Sequence, residues 1–295
     1  MIDFGLHIAV RAFMNLTDPK VLLRHIQNCN SAQLPGKYHP FRIKNKIVGW
    51  ISPDMLPVLE DAGVIRDKDH FVTLDVSTSL QDLGERLIKN KAVQSMNELF
   101  DVYPSPHEKP IGQIDRSVLP LLGFIGTGVH LNGLVKKSDG IYLWVGKRSP
   151  NKRLDPGKLD HIVAGGIPAG LDHRKALFKE AEEEASIPEN LIEQAQYVSM
   201  ITYSMQRSEG LRRDVLYCYD LWLPEDFLPT PNDGEVVEFR LMKLQDIFER
   251  VCLTDDVKFN VNLVLIDLFL RQGLIPKHSP LNQQLKLGLR GKLFP

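Results

Sequence analysis

Between residues 180 and 184 the chain reads EAEEE, and three of its four glutamates, Glu180, Glu183 and Glu184, stand at i, i+3 and i+4. On a helix that spacing puts them on one face, about 5–6 Å apart at Cβ, while Glu182 points elsewhere. Like charges so placed repel by a few tenths of a kcal/mol per pair in water. The ridge therefore either faces solvent, as most acidic helix runs do, or gathers a cation. Converging carboxylate oxygens suit Mg²⁺ or Mn²⁺. Just upstream, AGGIPAG supplies Gly165 and Gly166, where bare backbone can approach a ligand closely.

Basic candidates surround this stretch. Lys147 and Arg148 follow the strand-like IYLWVG, and Lys152 and Arg153 follow SPN. Arg148 is the phosphate-binding candidate among them, because a strand end fixes it; the alternative is a solvated loop. Arg212 and Arg213, ahead of DVLYCYDLWL, are similar in kind, with Arg213 taken as a substrate contact. His161 in LDHIV reads as a packed, hydrogen-bonded histidine rather than a ligand. Trp50, Tyr203, Tyr219 and Trp222 are available for ring stacking, yet each sits in an alternating strand pattern that favours core packing.

The elements that must position these groups fit a chain of 295 residues, long enough for one large or two ordinary domains. A 43% hydrophobic and 25% charged composition is that of a globular protein. The formal net charge of −1 gives no global pull towards nucleic acid or anionic membrane, so a polyanionic partner must be met by a local cluster or a metal. Cys29, Cys218 and Cys252 are scattered and odd in number, which argues against a disulfide framework and for a reducing compartment. No apolar run approaches the ~18 residues of a membrane helix. The start, MIDFGLHIAVRAF, lacks the marks of a secretory leader, so a cytoplasmic location is expected.

Residues 1–117 read as a small α+β unit. It has a helix from Asp18 to Asn28 capped at Thr17 or Asp18, strands FRI and IVGWI, a helix DMLPVLEDAG, a strand FVTLDV and a helix from Leu80 to Phe100. DVYPSPHEKPIG is the expected linker. Residues 118–275 change texture. GTGVHLNGLV and GIYLWVGKRS flank the turn KKSDG, and the glycine loop then leads into a helix from about His173 to Ala185. Three more strands (QYVSMITYSM, DVLYCYDLWLP, EVVEFRLMKL) and helices over 243–251 and 258–273 follow. The order predicts an α/β/α sandwich around a mixed sheet. Residues 276–295 read as an irregular basic tail.

The order Gly165, five residues, Leu171, seven residues, then Lys179-Glu180-Ala181-Glu182-Glu183-Glu184-Ala185-Ser186-Ile187 resembles the Nudix box. That box is glycine, five residues, glutamate, seven residues, then Arg-Glu-apolar-x-Glu-Glu-x-Gly-apolar. Leu171 stands where the box has its first glutamate, with Asp172 beside it as a partial replacement of different geometry. Lys179 replaces the arginine that orients the first ligand carboxylate, keeping charge but not the planar fork. Ser186 replaces the last glycine. The segments WVGKRSPNKRLDPGKLDHIVAGGIPAG, RRDVLYCYDLWLP, NDGEVVEFRLM and FNVNLVLIDLFLRQGLI narrow the resemblance to one subgroup, over about residues 20–275. That subgroup is fused to thiamine pyrophosphokinase in some fungi and otherwise carries an extra amino-terminal domain. In it the first box glutamate is commonly absent and lysine is usual before the first ligand.

The resemblance implies a Mg²⁺- or Mn²⁺-dependent hydrolase of phosphoric anhydrides, with Glu180, Glu183, Glu184 and the Gly165 carbonyl as metal ligands. Gly166 and Lys179 fall in the substrate loop. A diphosphate with up to three charges would be repelled by the acid ridge unless metal bridged the two and activated water. Glu235 and Glu238 in NDGEVVEF lie where the fold brings a loop and strand towards the box helix, and either is a candidate general base; Glu180 is the alternative. The implied substrate is thiamine diphosphate and its damaged oxo and oxy forms, cleaved to monophosphates. Two rivals stand beside it: hydrolysis of nucleoside diphosphate derivatives such as ADP-ribose or NADH-like dinucleotides, and a non-catalytic diphosphate-binding module. A homodimer is compatible, and neither nucleic acid nor membrane is an expected partner.

Overall fold

The computed structural model describes residues 18–66, 71–75, 77–232 and 234–293. The start read above for a leader and the possible cap Thr17 lie outside the described residues. Asp18 accepts from the Lys20 N–H at 3.0 Å and starts a 3₁₀ turn, Pro19–Leu22, that runs into α1 (Leu23–Cys29). Then come β1 (His39–Ile43), β2 (Lys46–Ile51), α2 (Leu56–Asp61), β3 (Val64–Arg66), β4 (Val72–Leu74), α3 (Leu80–Lys89), β5 (Leu99–Val102), β6 (Gly112–Asp115) and α4 (Leu119–Leu122). Strands β2-β1-β4-β3 form one small sheet, and β5-β6 form a separate hairpin. Phe41, Val48, Leu59, Leu83, Leu87 and Ile114 close a core of their own between these elements.

The larger unit holds β7 (Ile125–Lys137), β8 (Gly140–Arg148), β9 (Leu159–His161), β10 (Val163–Gly166), α5 (His173–Ala185), α6 (Glu189–Ile192), β11 (Gln196–Arg207), β12 (Gly210–Trp222), β13 (Val236–Lys243), α7 (Leu244–Leu253), α8 (Val261–Arg271) and α9 (Pro280–Gly288). Its sheet runs β11-β12-β7-β8-β13, with β10 on β7 and β9 on β8. The β12–β7 pair is parallel and the rest of that path antiparallel, so the sheet is mixed. Lys137 pairs with Gly140 across the tight turn that KKSDG announces. On one face α5 buries Ala176, Leu177, Ala181 and Ala185 against Val129, Leu131 and Tyr219. On the other, α7 and α8 bring Ile247, Val251, Val264 and Leu268 against Leu134, Leu143 and Leu216. Each such fully buried Leu, Ile or Val side chain contributes about 1.5–3 kcal/mol relative to exposure. The layers are the expected α/β/α sandwich.

Four details differ from the sequence reading. The helix expected from Leu80 to Phe100 stops at Lys89. Lys91 and Asn97 then take positive φ (58° and 54°), and Leu99–Val102 pairs as a strand with Gly112–Asp115. DVYPSPHEKPIG is therefore the turn of the β5–β6 hairpin rather than a linker. The tail is not irregular: Ser279 caps α9 by accepting from the Asn282 N–H at 3.2 Å, and Leu285, Leu289 and Leu293 are buried. Finally, α1 packs with the larger unit. Leu22, Ile26 and Cys29 join the cluster of α7 and α8, and Ile26 fills the space where a Cβ on Gly288 would sit.

Candidate active site

Helix α5 starts at Asp172, whose carboxylate accepts from the N–H groups of Arg174 (3.0 Å) and Lys175 (2.8 Å). The acid beside Leu171 is thus the helix cap, with Oδ1 taken by both backbone N–H groups and Oδ2 lying 3.9 Å from Lys175 Nζ. The helix ends at Ser186, φ +52°, with the Ile187 N–H bonded to Ala181 O at 3.0 Å. A left-handed residue costs a side chain about 1–2 kcal/mol, which is why glycine suits this box position. Ser186 offsets the cost by donating its hydroxyl to Thr230 O (3.1 Å) and accepting from Asn232 Nδ2 (2.6 Å).

Between these ends the acid ridge meets the glycine strand β10. A Cβ built on Gly165 would lie 2.2 Å from Glu180 Oε2, so only glycine lets this carboxylate settle against the strand. Glu184 is 6% exposed and accepts one bond, from the Ala164 N–H at 2.8 Å. Burial pushes its carboxyl up to about 8; the Ala164 bond opposes the shift, and the charges of Glu180, Asp160 and Glu235 add to it. Burial likewise raises Glu180, with Lys179 opposing and Glu183 and Glu98 assisting. Lys179 Nζ donates to Glu183 Oε2 at 2.7 Å and lies 3.6 Å from Glu180 Oε1, so it bridges the ridge. Among the described residues no lysine or arginine pairs with Glu184. A buried carboxylate with one neutral donor, beside two more carboxylates and a bare glycine, fits a divalent cation by its all-oxygen donor set.

A cavity of about 1190 Å³ opens beside this ridge. Gly165, Gly166, Lys179, Glu180, Glu183, Glu184 and Glu235 line it from the larger unit. Met55, Val58, Met96, Glu98, Phe100 and Arg116 line it from the smaller one. His130, Arg148 and Lys258, which also line it, belong to a second charged group. Asp160 Oδ2 takes Arg148 Nη1 at 2.6 Å and Lys258 Nζ at 3.0 Å, and His130 Nδ1 faces His161 Nδ1 at 3.0 Å. Burial opposes the Asp160 charge, but Lys258 and Arg148 outweigh it and hold the carboxyl well below the usual range. Burial lowers His161 to about 4 and holds His130 well below its ordinary value, so both rings are neutral near pH 7. His130, Asp160 and His161 have ligand atoms within 4.8 Å of one another, as a metal site would. Two fixed cations already neutralise Asp160, however, and the histidines bond each other.

Several sequence candidates land elsewhere. Arg213 is fully buried away from the cavity, with Nε donating to Leu293 O (2.9 Å) and Nη1 to Gly123 O (2.8 Å) and Val48 O (3.2 Å). It ties three segments together instead of meeting substrate. Arg148 reaches the cavity wall, but its guanidinium is spent on Asp160 and on the carbonyls of Leu154 and Asp155. Glu238 is a half-buried residue of β13, paired with Arg240 and Lys147 and absent from the lining. Glu235 does line the cavity, 2.5 Å from Lys152. His161 is packed, as expected. Of the four rings singled out above, Trp50, Tyr203 and Tyr219 are buried and Trp222 is surface-exposed. Phe100, Phe124 and Phe259 line the cavity in their place; no local pattern marks them or Arg116 as cavity residues, and Phe259 reads from sequence as a core position of the 258–273 helix.

Residues 129–260 match the NUDIX domain family. The chain is 37% identical to Nudix hydrolase 24, chloroplastic, of Arabidopsis thaliana over 90% of its own length and 76% of that protein. It is 35% identical to Nudix hydrolase 20, chloroplastic, of the same plant, over 91% and 77%. A Deinococcus radiodurans crystal structure aligns with a TM-score of 0.44 at 22% identity, over 57% of this chain and 97% of that one. Among the described residues no helix is long and apolar enough to cross a membrane.

Proposed function

The chain belongs to the Nudix hydrolase family, hydrolases of phosphoric anhydrides, and from that premise we propose that it cleaves thiamine diphosphate and its oxo and oxy analogues to monophosphate and phosphate. The observation that carries hydrolysis at this site is Glu184: buried, uncompensated by any described cation, and aimed with Glu180 at the glycine strand that lines the cavity. Glu180, Glu183, Glu184 and the Gly165 carbonyl would hold Mg²⁺ or Mn²⁺, whose charge offsets the diphosphate and favours ionisation of water. Lys179 keeps the Glu183 and Glu180 carboxylates oriented. Glu235, on the cavity wall and outside the ridge, takes the proton of the attacking water. Water adds to one phosphorus, the P–O–P bridge breaks, and the other phosphoryl group, as phosphate or phosphate ester, leaves with the bridging oxygen and its electron pair.

The thiamine assignment rests on the subgroup resemblance and on the walls. Thiamine is a cation with two flat rings, which calls for aromatic faces and carboxylates. Phe100 and Phe259 line the cavity and already carry guanidinium groups over their rings (Arg116 at 5.1 Å; Arg207 at 5.1 Å and Arg212 at 5.7 Å). Glu98, Glu209 and Asp214 line it too. The deciding measurement is a product assay by chromatography on thiamine, oxothiamine and oxythiamine diphosphates and on ADP-ribose, with and without Mg²⁺. Metal-dependent turnover of the thiamine compounds, lost in Glu184→Gln, is the expected result. Comparable turnover of ADP-ribose would defeat the thiamine assignment, and binding without turnover of any of them would defeat the hydrolase reading.

A further inference from the structure

We propose that the smaller unit completes the diphosphate site, with Arg116 as a substrate-binding residue that grips a phosphate of the bound diphosphate; this rests on the hydrolase reading above. Arg116 opens a 3₁₀ turn, Arg116–Val118, fixed by Asp115, whose Oδ1 accepts from the N–H and hydroxyl of Ser117 at 2.9 and 2.6 Å. Asp115 Oδ2 also accepts from the Ser95 hydroxyl at 2.7 Å. From this fixed base the guanidinium reaches over the Phe100 ring to the glycine strand. A Cβ built on Gly166 would lie 3.1 Å from Arg116 Cζ and 3.2 Å from Nη1. Gly166 follows Gly165, against which Glu180 is packed. A cation from a different folding unit is thus parked one residue from the acid ridge, with its side chain 42% exposed towards the cavity.

Of the other cations on the cavity wall, all but Arg153 are committed. Lys179 bridges Glu183 and Glu180, Arg148 and Lys258 neutralise Asp160, Lys152 pairs with Glu235, and Arg212 pairs with Asp214. Arg153 stays on an exposed loop. Arg116 makes one side-chain hydrogen bond among the described residues, Nη1 to Glu98 Oε2 at 2.8 Å, out of the five donors a guanidinium offers. Its planar fork matches phosphate oxygens. Glu98 is a resting partner: its charge is felt by Glu180, and a phosphate arriving at the ridge competes with it for the same guanidinium.

Two roles for the Arg116–Glu98 pair predict opposite patterns. If the pair is a strut between units, removing either member does the same harm. If Arg116 serves the substrate, the two changes have opposite signs. The test is calorimetric titration of methylenediphosphonate with Mn²⁺ into wild type, Arg116→Ala, Arg116→Lys and Glu98→Gln, with KM and kcat measured alongside. Arg116→Ala should weaken binding and raise KM about tenfold, with kcat changed much less; Arg116→Lys should recover part, and Glu98→Gln should tighten binding. Unchanged binding in Arg116→Ala, or weakening in both Arg116→Ala and Glu98→Gln, overturns the inference. If Arg116→Ala melts well below wild type, Arg116→Lys and Glu98→Gln decide. Wild type that binds the probe but hydrolyses no diphosphate sinks the hydrolase reading and leaves the Arg116 inference standing, whereas normal turnover with insensitive binding does the reverse.

Discussion

Glu184, which lines the cavity, and Asp160, which is bonded to two cations of its wall, are both buried carboxylates, and they are treated oppositely. Asp160 is bonded by Arg148 and Lys258 and held ionised. Glu184 has one backbone N–H and is pushed up to about 8. Desolvating a charge costs several kcal/mol unless a partner repays it. At Asp160 the chain supplies that partner, so the acid holds the fold together. At Glu184 the chain withholds it, so the acid favours whatever cation arrives. The difference separates a structural charge from a functional one without reference to sequence position.

That contrast breaks most visibly at Asp160. Asp160→Ala leaves Arg148 and Lys258 buried without their anion, and urea unfolding should show a loss of about 3–5 kcal/mol. A loss below 1 kcal/mol would mean the cluster is not structural. Glu184→Gln should invert the pattern: turnover at least ~100-fold lower, yet no stability lost in metal-free protein at pH 8. The sign follows from the raised pKa. The fold resists ionising Glu184, so its contribution is present below its ordinary value and lost as pH rises towards about 8. A metal-free Glu184→Gln protein that melts lower than wild type at pH 8 would contradict this.

A smaller effect comes from His161, lowered to about 4 by burial, against Asp160 and with help from Lys258. Below pH 6.5 the unfolded chain takes a proton that the folded ring refuses, so stability is full above that value and falls towards pH 4, by at most ~1.4 kcal/mol per pH unit for one ring. Melting curves from pH 7 to 4.5 should therefore flatten in His161→Gln, with His130 keeping the remaining slope. Equal slopes would remove His161 from the account. The smallest effect is at Glu238, half-buried on β13, outside the cavity lining and paired with Arg240: Glu238→Gln should change kcat/KM less than about twofold.

The acid ridge was legible because its information is local. Helical spacing and the glycine turn lie within some twenty residues, and α5 runs from His173 to Ala185 as expected, whereas the capping role of Asp172, read as a partial stand-in for the box glutamate, emerged only from its bonds to the Arg174 and Lys175 N–H groups. The β7–β8 hairpin was legible for the same reason. What failed needed distant pairing. Leu99–Val102 looks like the end of an amphipathic helix until it meets Gly112–Asp115. Arg213 shares an alternating run with Arg212, and nothing local says which one points inward; the backbone carbonyls of Val48, Gly123 and Leu293 do. The α9 helix carried its own signal in Ser279 and Pro280, hidden by the basic residues around Leu281, Leu285 and Leu289. The Asp160 cluster joins residues from β7, β8, β9 and the loop before α8, a juxtaposition that only the sheet creates.

The β5–β6 hairpin has a reach beyond its own sheet. The Ala169 N–H bonds Leu99 O at 2.7 Å, and the Gly170 N–H bonds Asp101 Oδ2 at 2.9 Å. Those amides belong to the segment that carries the chain from the glycine strand into α5, so the hairpin acts as a splint on the loop that aims the ridge. A scissor cut at residue 117 would follow the boundary drawn by composition and yet take away the brace of the very turn it meant to liberate.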